Sequence, residues 1–202
     1  MPERLKVSEG EARMIPAGYM YKQIRARPDY IKAPHVIDIY SAGECGSDVT
    51  SPNFCDYTKH FRHNGFGFFN NPEIMREVAN LVNIDLTPMS LFYYEIYELE
   101  CDFVSADRLD VHWIPARCDV EFTVDVSPPQ SKTLVGYDAL LAANVSAPDC
   151  SLLSCSNLAE NFEVNVHCLF DTFDMAKAAI STGVFHEKEQ YPQRLVAVFT
   201  AG

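Results

Sequence analysis

No uninterrupted apolar run in this chain exceeds that of Leu195–Phe199, far short of the ~20 residues that a membrane-spanning helix requires. The opening residues, MPERLKVSEG, are broken by Glu3, Arg4, Lys6 and Glu9 and hold no secretory apolar segment. No phosphate-cradling loop is present: Gly65-Phe66-Gly67 lacks a third glycine, and no Gly-Lys-Ser or Gly-Lys-Thr occurs. A Gly-x-Ser-x-Gly elbow is also missing. Cations are scarce, with 16 Lys and Arg against 28 Asp and Glu for a net charge of -12. These absences speak against a nucleotide-binding motif, an elbow serine and a helical membrane span. They set the expectation of a cytoplasmic chain with no cofactor.

What the sequence does hold is apolar and aromatic weight: 48% hydrophobic residues, including 13 Phe and 10 Tyr. A chain of 202 residues with that composition buries one sizeable core. Charge is uneven along it. Residues 1–33 carry 7 cations against 4 acids, whereas residues 34–202 carry 9 against 24. The expected organisation is a basic N-terminal arm over 1–33, partly disordered or docked, and a single acidic domain over 34–202. A negative field of this kind repels nucleic acid and anionic membranes and speeds encounter with basic partners. Seven cysteines, an odd number, suit separate thiols in a reducing compartment better than a disulfide framework.

Local signals give α+β. Ser51 and Pro52 open a helix that Asn64-Gly65 closes. Asn71-Pro72-Glu73 opens another, with Ile74, Val78 and Leu81 or Val82 inward. Asp171 or Thr172 caps a third, with Met175, Ala176, Ala179 and Ile180 inward and Gly183 at its end. Strands are expected at Val36–Tyr40, Ser90–Glu100, Asp119–Val126, Leu134–Val145, Val164–Phe170 and Arg194–Thr200. Because strands mostly follow one another, the sheet should be largely antiparallel, of about five strands, with about three helices mostly on one face. No internal repeat is visible.

Phe92–Glu95 (FYYE), Leu134–Asp138 (LVGYD), Ala147–Cys155 (APDCSLLSC) and His167–Ile180 (HCLFDTFDMAKAAI) are similar to stretches of an uncharacterised bacterial protein family with no assigned activity. The resemblance covers mainly the last third of the chain. It implies a bacterial or phage origin and brings no catalytic residue.

Several constellations offer chemistry. Cys45, Cys55, His60 and His63 place two histidines one helical turn apart with a thiol upstream, a potential metal set, although the nine residues between the cysteines form no tight hook. Cys150, Cys155, His167 and Cys168 form a second set, in which His167 and Cys168 should point to opposite faces of a strand. Cys155 at a helix start, with His167 as base and Asp171 orienting it, would make a nucleophilic thiol. Glu95 and Glu98 fall on opposite faces of their strand, while Asp119, Glu121 and Asp125 share one. Three like charges on alternate positions do not stabilise a sheet, so they read as an edge guard or as a surface for a basic protein. The expected function is therefore a non-enzymatic acidic protein-binding module, of inhibitor, immunity or antitoxin type. A thiol- or metal-dependent enzyme or sensor is the alternative, and a structural subunit of a larger assembly the third reading.

Overall fold

A computed structural model describes residues 12–43, 62–105, 108–142, 150–156, 158–188 and 191–202. In chain order the elements are β1 (Met14–Lys22), β2 (Arg25–Ala26), β3 (Asp38–Ile39), α1 (Pro72–Leu81), β4 (Ser90–Ser105) and β5 (Arg108–Pro115). There follow β6 (Lys132–Leu141), α2 (Leu152–Cys155), a 3-10 turn at Leu158–Asn161, α3 (Phe173–Ser181), α4 (Val184–Lys188) and β7 (Gln193–Ala201). The main sheet runs β1-β4-β7-β6, with β5 paired to the far part of β4, and every pairing is antiparallel. β2 and β3 form a separate small ribbon. This is the α+β architecture the sequence implies.

The two central strands explain the two densest apolar runs. Phe92, Tyr93, Tyr94 and Ile96 of β4 and Leu195–Val198 of β7 are all buried, because both faces of the sheet are covered there. Alternation along the pleat divides them. Tyr93, Glu95 and Tyr97 share a face with Tyr19, Tyr137, Ala197 and Phe199; Phe92, Tyr94 and Ile96 share the other with Met20, Asp138, Val196 and Val198. The first is called the tyrosine face below.

The two halves of the sheet repeat one another. Gly18 of β1 pairs with Tyr94, Tyr94 with Val198, and Val198 with Gly136 of β6, a row with a glycine at each end. Both glycines sit at register shifts and have positive φ, 139° and 157°. A Cβ on Gly18 would lie 2.6 Å from Phe69 O and 2.7 Å from Phe68 Cβ; one on Gly136 would lie 2.7 Å from Leu169 Cβ and 2.8 Å from Phe170 O. The missing side chain admits a turn in each half. Asn64 Oδ1 accepts from the amides of Phe66 and Phe68 while its Nδ2 donates to Ala17 O. Asn165 Oδ1 accepts from the amides of His167 and Leu169 while its Nδ2 donates to Val135 O. Phe69 then exchanges backbone hydrogen bonds with Tyr19, and Phe170 with Tyr137. Next come the helix caps, Asn71 for α1 and Thr172 for α3, each accepting from the amide three residues on.

This duplication corrects the expectation of no repeat. Equivalent positions keep Gly18/Gly136, Tyr19/Tyr137, Asn64/Asn165, Phe69/Phe170 and Leu91/Leu195 identical, and the connection from Tyr19 to Asn64 is much longer than that from Tyr137 to Asn165. It also corrects Val164–Phe170, which is not a strand but the second turn. Cys168 lies there at φ 63°, so pleat alternation does not govern where His167 and Cys168 point. Asn64 anchors the first turn instead of ending a helix; residues 51–61 of that expected helix lie outside the described residues.

Other expectations shift with it. Met14–Lys22, assigned to the N-terminal arm, is a strand of the main sheet. α1 buries Met75, Val78 and Ala79, with Ile74 and Val82 half-buried against the same core, and leaves Leu81 61% exposed, because the turn against β1 sets the rotation of the helix. Over Asp119–Val126 the expected alternation holds only from Glu121 on, with Phe122, Val124 and Val126 half-buried; Asp119 is half-buried and Val120 is 95% exposed, and the segment pairs with no strand among the described residues. Asn70 holds it instead, donating from Nδ2 to Thr123 O and accepting at Oδ1 from the amide of Asp125.

On the sheet face opposite the tyrosines, fully buried Glu100 is paired with Arg117 and with buried Arg194, which also donates to Arg117 O. An unpaired carboxylate there would cost several kcal/mol, so this pairing fixes the end of β4 against β7.

The duplicated turn makes a measurable claim. Asn64→Ala and Asn165→Ala should each lower unfolding free energy by about 2–3 kcal/mol, since each strands buried backbone groups. Gly202→Ala, whose Cβ meets nothing nearer than 3.7 Å, should change stability by less than about 0.5 kcal/mol. Urea unfolding of the three variants provides the comparison.

Candidate functional site

The tyrosine face carries two ammonium groups seated on aromatic rings. The first is Lys132 at the start of β6, whose Nζ lies 5.0 Å from the Tyr93 ring centroid and 4.2 Å from that of Phe199. The same ammonium bonds Glu95 Oε1, which also accepts from Tyr93 OH at 3.1 Å. Register brings these together: Tyr93 pairs with Phe199, and Lys132 with Ala201 two residues further along the same face. Glu95 is only 15% exposed at its side chain and Lys132 30%. Tyr19 backs the seat with its ring 5.1 Å from that of Tyr93 and its hydroxyl donating to Ser127 O.

The second seat holds Lys177. Its Nζ lies 5.2 Å from the Tyr97 ring, 5.6 Å from Trp113 and 5.8 Å from Phe173. Phe173 and Lys177 are four residues apart on α3 and so share a helix face. Trp113 reaches it from β5 and is fixed by donating Nε1–H to Ser181 Oγ. Phe173 also packs edge-on against Tyr97 and Tyr137. In the first half of the fold the equivalent of Lys177 is Arg76, stacked on Tyr21 and paired with Glu73.

Electrostatics around these seats favour holding a cation over moving a proton. Burial, then the Glu95 carboxylate, pushes the Tyr93 phenol well above its ordinary range. Tyr137 is raised by burial, then by Glu95 and Asp174. Aromatic faces and a carboxylate together attract ammonium groups, each ring contributing about 0.5–2 kcal/mol according to its exposure.

The residues singled out from the sequence are arranged differently. Asp119 is half-buried and its Oδ1 accepts from the amide of Glu121, so its carboxylate closes a local turn; Glu121 and Asp125 are exposed. Cys155 ends the short helix α2 instead of starting one, and its amide donates to Ser151 O. His167 Nδ1 lies 2.6 Å from Asp38 Oδ1, with the His167 ring against Tyr40, so Asp38 and not Asp171 is its carboxylate partner. Asp171 is exposed ahead of α3. Cys45, Cys55 and His60 lie outside the described residues. His63 is buried with Nδ1 2.6 Å from Asn64 O and its ring 4.3 Å from Phe122. Among the described residues no group of three or more His, Cys, Asp and Glu is placed to hold a metal, and Cys101 and Cys118 are free thiols. Burial pushes the Cys101 thiol up to about 12, the opposite of activation.

Neither seat stood out in the sequence. The one available signal was the alternation Tyr93-Glu95-Tyr97, which puts a carboxylate between two tyrosines on one strand face. Lys132, Phe199, Trp113 and Lys177 arrive from distant parts of the chain. No family model, curated protein or solved structure matches this chain.

The raised Tyr93 phenol has a pH consequence. A group whose folded pKa exceeds its unfolded value of about 10 stabilises the fold fully below pH 10, and that contribution is lost as pH rises beyond it. Urea midpoints should therefore fall above pH 10, and Tyr93→Phe should flatten that fall. A thiol-reactive dye added to native protein near neutral pH should leave Cys101 unlabelled until urea unfolds the chain.

Proposed function

We propose that this chain is a non-enzymatic binding module for a cationic ligand, recognised on the tyrosine face at Glu95. The observation that carries this reading is the seat now filled by Lys132: a nearly buried carboxylate, two aromatic faces and an alkylammonium, brought together from the three strands β4, β7 and β6. Lys132 is the more exposed partner of the pair, at 30% against 15% for Glu95. A built cage whose occupant is the flexible end of a surface lysine can exchange that occupant for an external amine. The overall charge of -12 raises the local concentration of such a ligand.

The expected partner class, something basic, is retained; its seat moves from Asp119, Glu121 and Asp125 to Glu95. A basic protein docking on the acidic loop is a second reading, favoured by Val120, which is 95% exposed between Asp119 and Glu121. That reading requires Glu121→Gln and Asp125→Asn to slow capture of a cationic peptide in surface plasmon resonance at low salt.

For the main reading, butylammonium and tetramethylammonium titrated into the full chain should give saturable heats by calorimetry. Glu95→Gln should weaken binding about tenfold, equivalent to about 1.4 kcal/mol, and Lys132→Met should strengthen it by removing the resident competitor. Unchanged affinity in both variants would reject the seat.

A further inference from the structure

We propose that the ligand is a linear polyamine whose two ammonium groups fill the Lys132 and Lys177 seats together. This rests on the reading that the Glu95 seat takes an external ammonium. Tyr93 and Tyr97 floor the two seats from the same face of β4 and lie four residues apart, about 13 Å at an ordinary strand rise. Glu95 stands between them on that face. Tyr137, on β6, packs on the Phe173 ring of the second seat.

The chemistry of each seat limits what enters. Each is occupied at present by the end of an unbranched alkyl chain, so its cross-section matches an alkylamine. The first combines a carboxylate with two rings. The second presents three rings, and among the described residues no carboxylate lies in ion-pair contact with the Lys177 ammonium, so it attracts by ring faces alone. A monoamine gains from one seat only. A chain long enough to reach both gains the second contact as an intramolecular event, with no new loss of translational freedom. A short diamine cannot span them. The spacing therefore selects for length as well as charge.

Trp113, the one tryptophan in the chain, belongs to the second seat and reports on it directly. Butylamine, putrescine, spermidine and spermine are titrated into the full-length protein, following heat and Trp113 emission. The expected result is at least tenfold tighter binding of spermine than of butylamine, a change in Trp113 emission with spermine and not with butylamine, and severalfold tighter spermine binding in Lys132→Met and in Lys177→Met. Arg62→Met, which removes the same charge from an exposed pair with Glu77, should leave the affinity unchanged; a matching rise there means unspecific attraction and overturns the proposal. If butylamine binds in a Glu95-dependent way while spermine binds no tighter and Trp113 is silent, the two-seat proposal falls and the single seat survives. If no amine binds the native chain or Lys132→Met, both fall. Binding of a lysine-rich peptide without binding of spermine would also overturn the proposal. Lys177→Met removes only a half-buried side chain from α3, so it keeps the second seat testable even where Glu95→Gln does not fold.

Discussion

Two places where a side chain is missing hold this fold together. At Gly18 and Gly136 the backbone of a turn comes within contact distance of a strand, and any Cβ would meet a carbonyl oxygen or another Cβ below 3 Å. The approach lets an asparagine amide reach into the strand and satisfy three backbone groups at once. Helix position follows from it: the turn fixes the cap, the cap fixes the first helical residue, and the helix is thereby aimed across the strand. Because the same device operates at both outer strands, the central pair β4 and β7 is enclosed symmetrically and can be apolar on both faces.

That enclosure sets the terms for the polar groups within it. Glu100 and Arg194 are buried side by side, and each is tolerated because the other and Arg117 supply its partner. Glu95 occupies the more open part of the sheet, where an ammonium from β6 reaches it past the edge of two rings. The difference between a structural ion pair and a candidate binding seat is thus one of access: Glu100 is fully enclosed, whereas Glu95 retains some solvent contact.

Much of the fold was legible in the residues. The aromatic run of β4, the capped helices α1 and α3 and the final strand follow from local propensity and punctuation, which act over a few residues. The duplication was hidden because its determinants are scattered single-residue matches and because Cys168 occupies a left-handed position whose counterpart is Gly67. A sequence pattern does not show that a cysteine is held at positive φ by tertiary contacts. Asp119–Val126 alternates as a strand would, yet pairing needs an open sheet edge beside it, and Asn70 engages its backbone instead. The same limit applies to the seats: Tyr93-Glu95-Tyr97 is visible, but the lysines that meet it come from β6 and α3, and only the topology brings them there. His167 likewise found Asp38, from far upstream, in place of neighbouring Asp171.

The near-equivalence of the halves has an experimental dividend. A given side-chain change can be made at either of two related locations inside one molecule, under identical solvent, temperature and overall charge. Contrasts between Asn64 and Asn165, or between Arg76 and Lys177, then separate what the local geometry contributes from what the surroundings add. The protein carries its own internal reference.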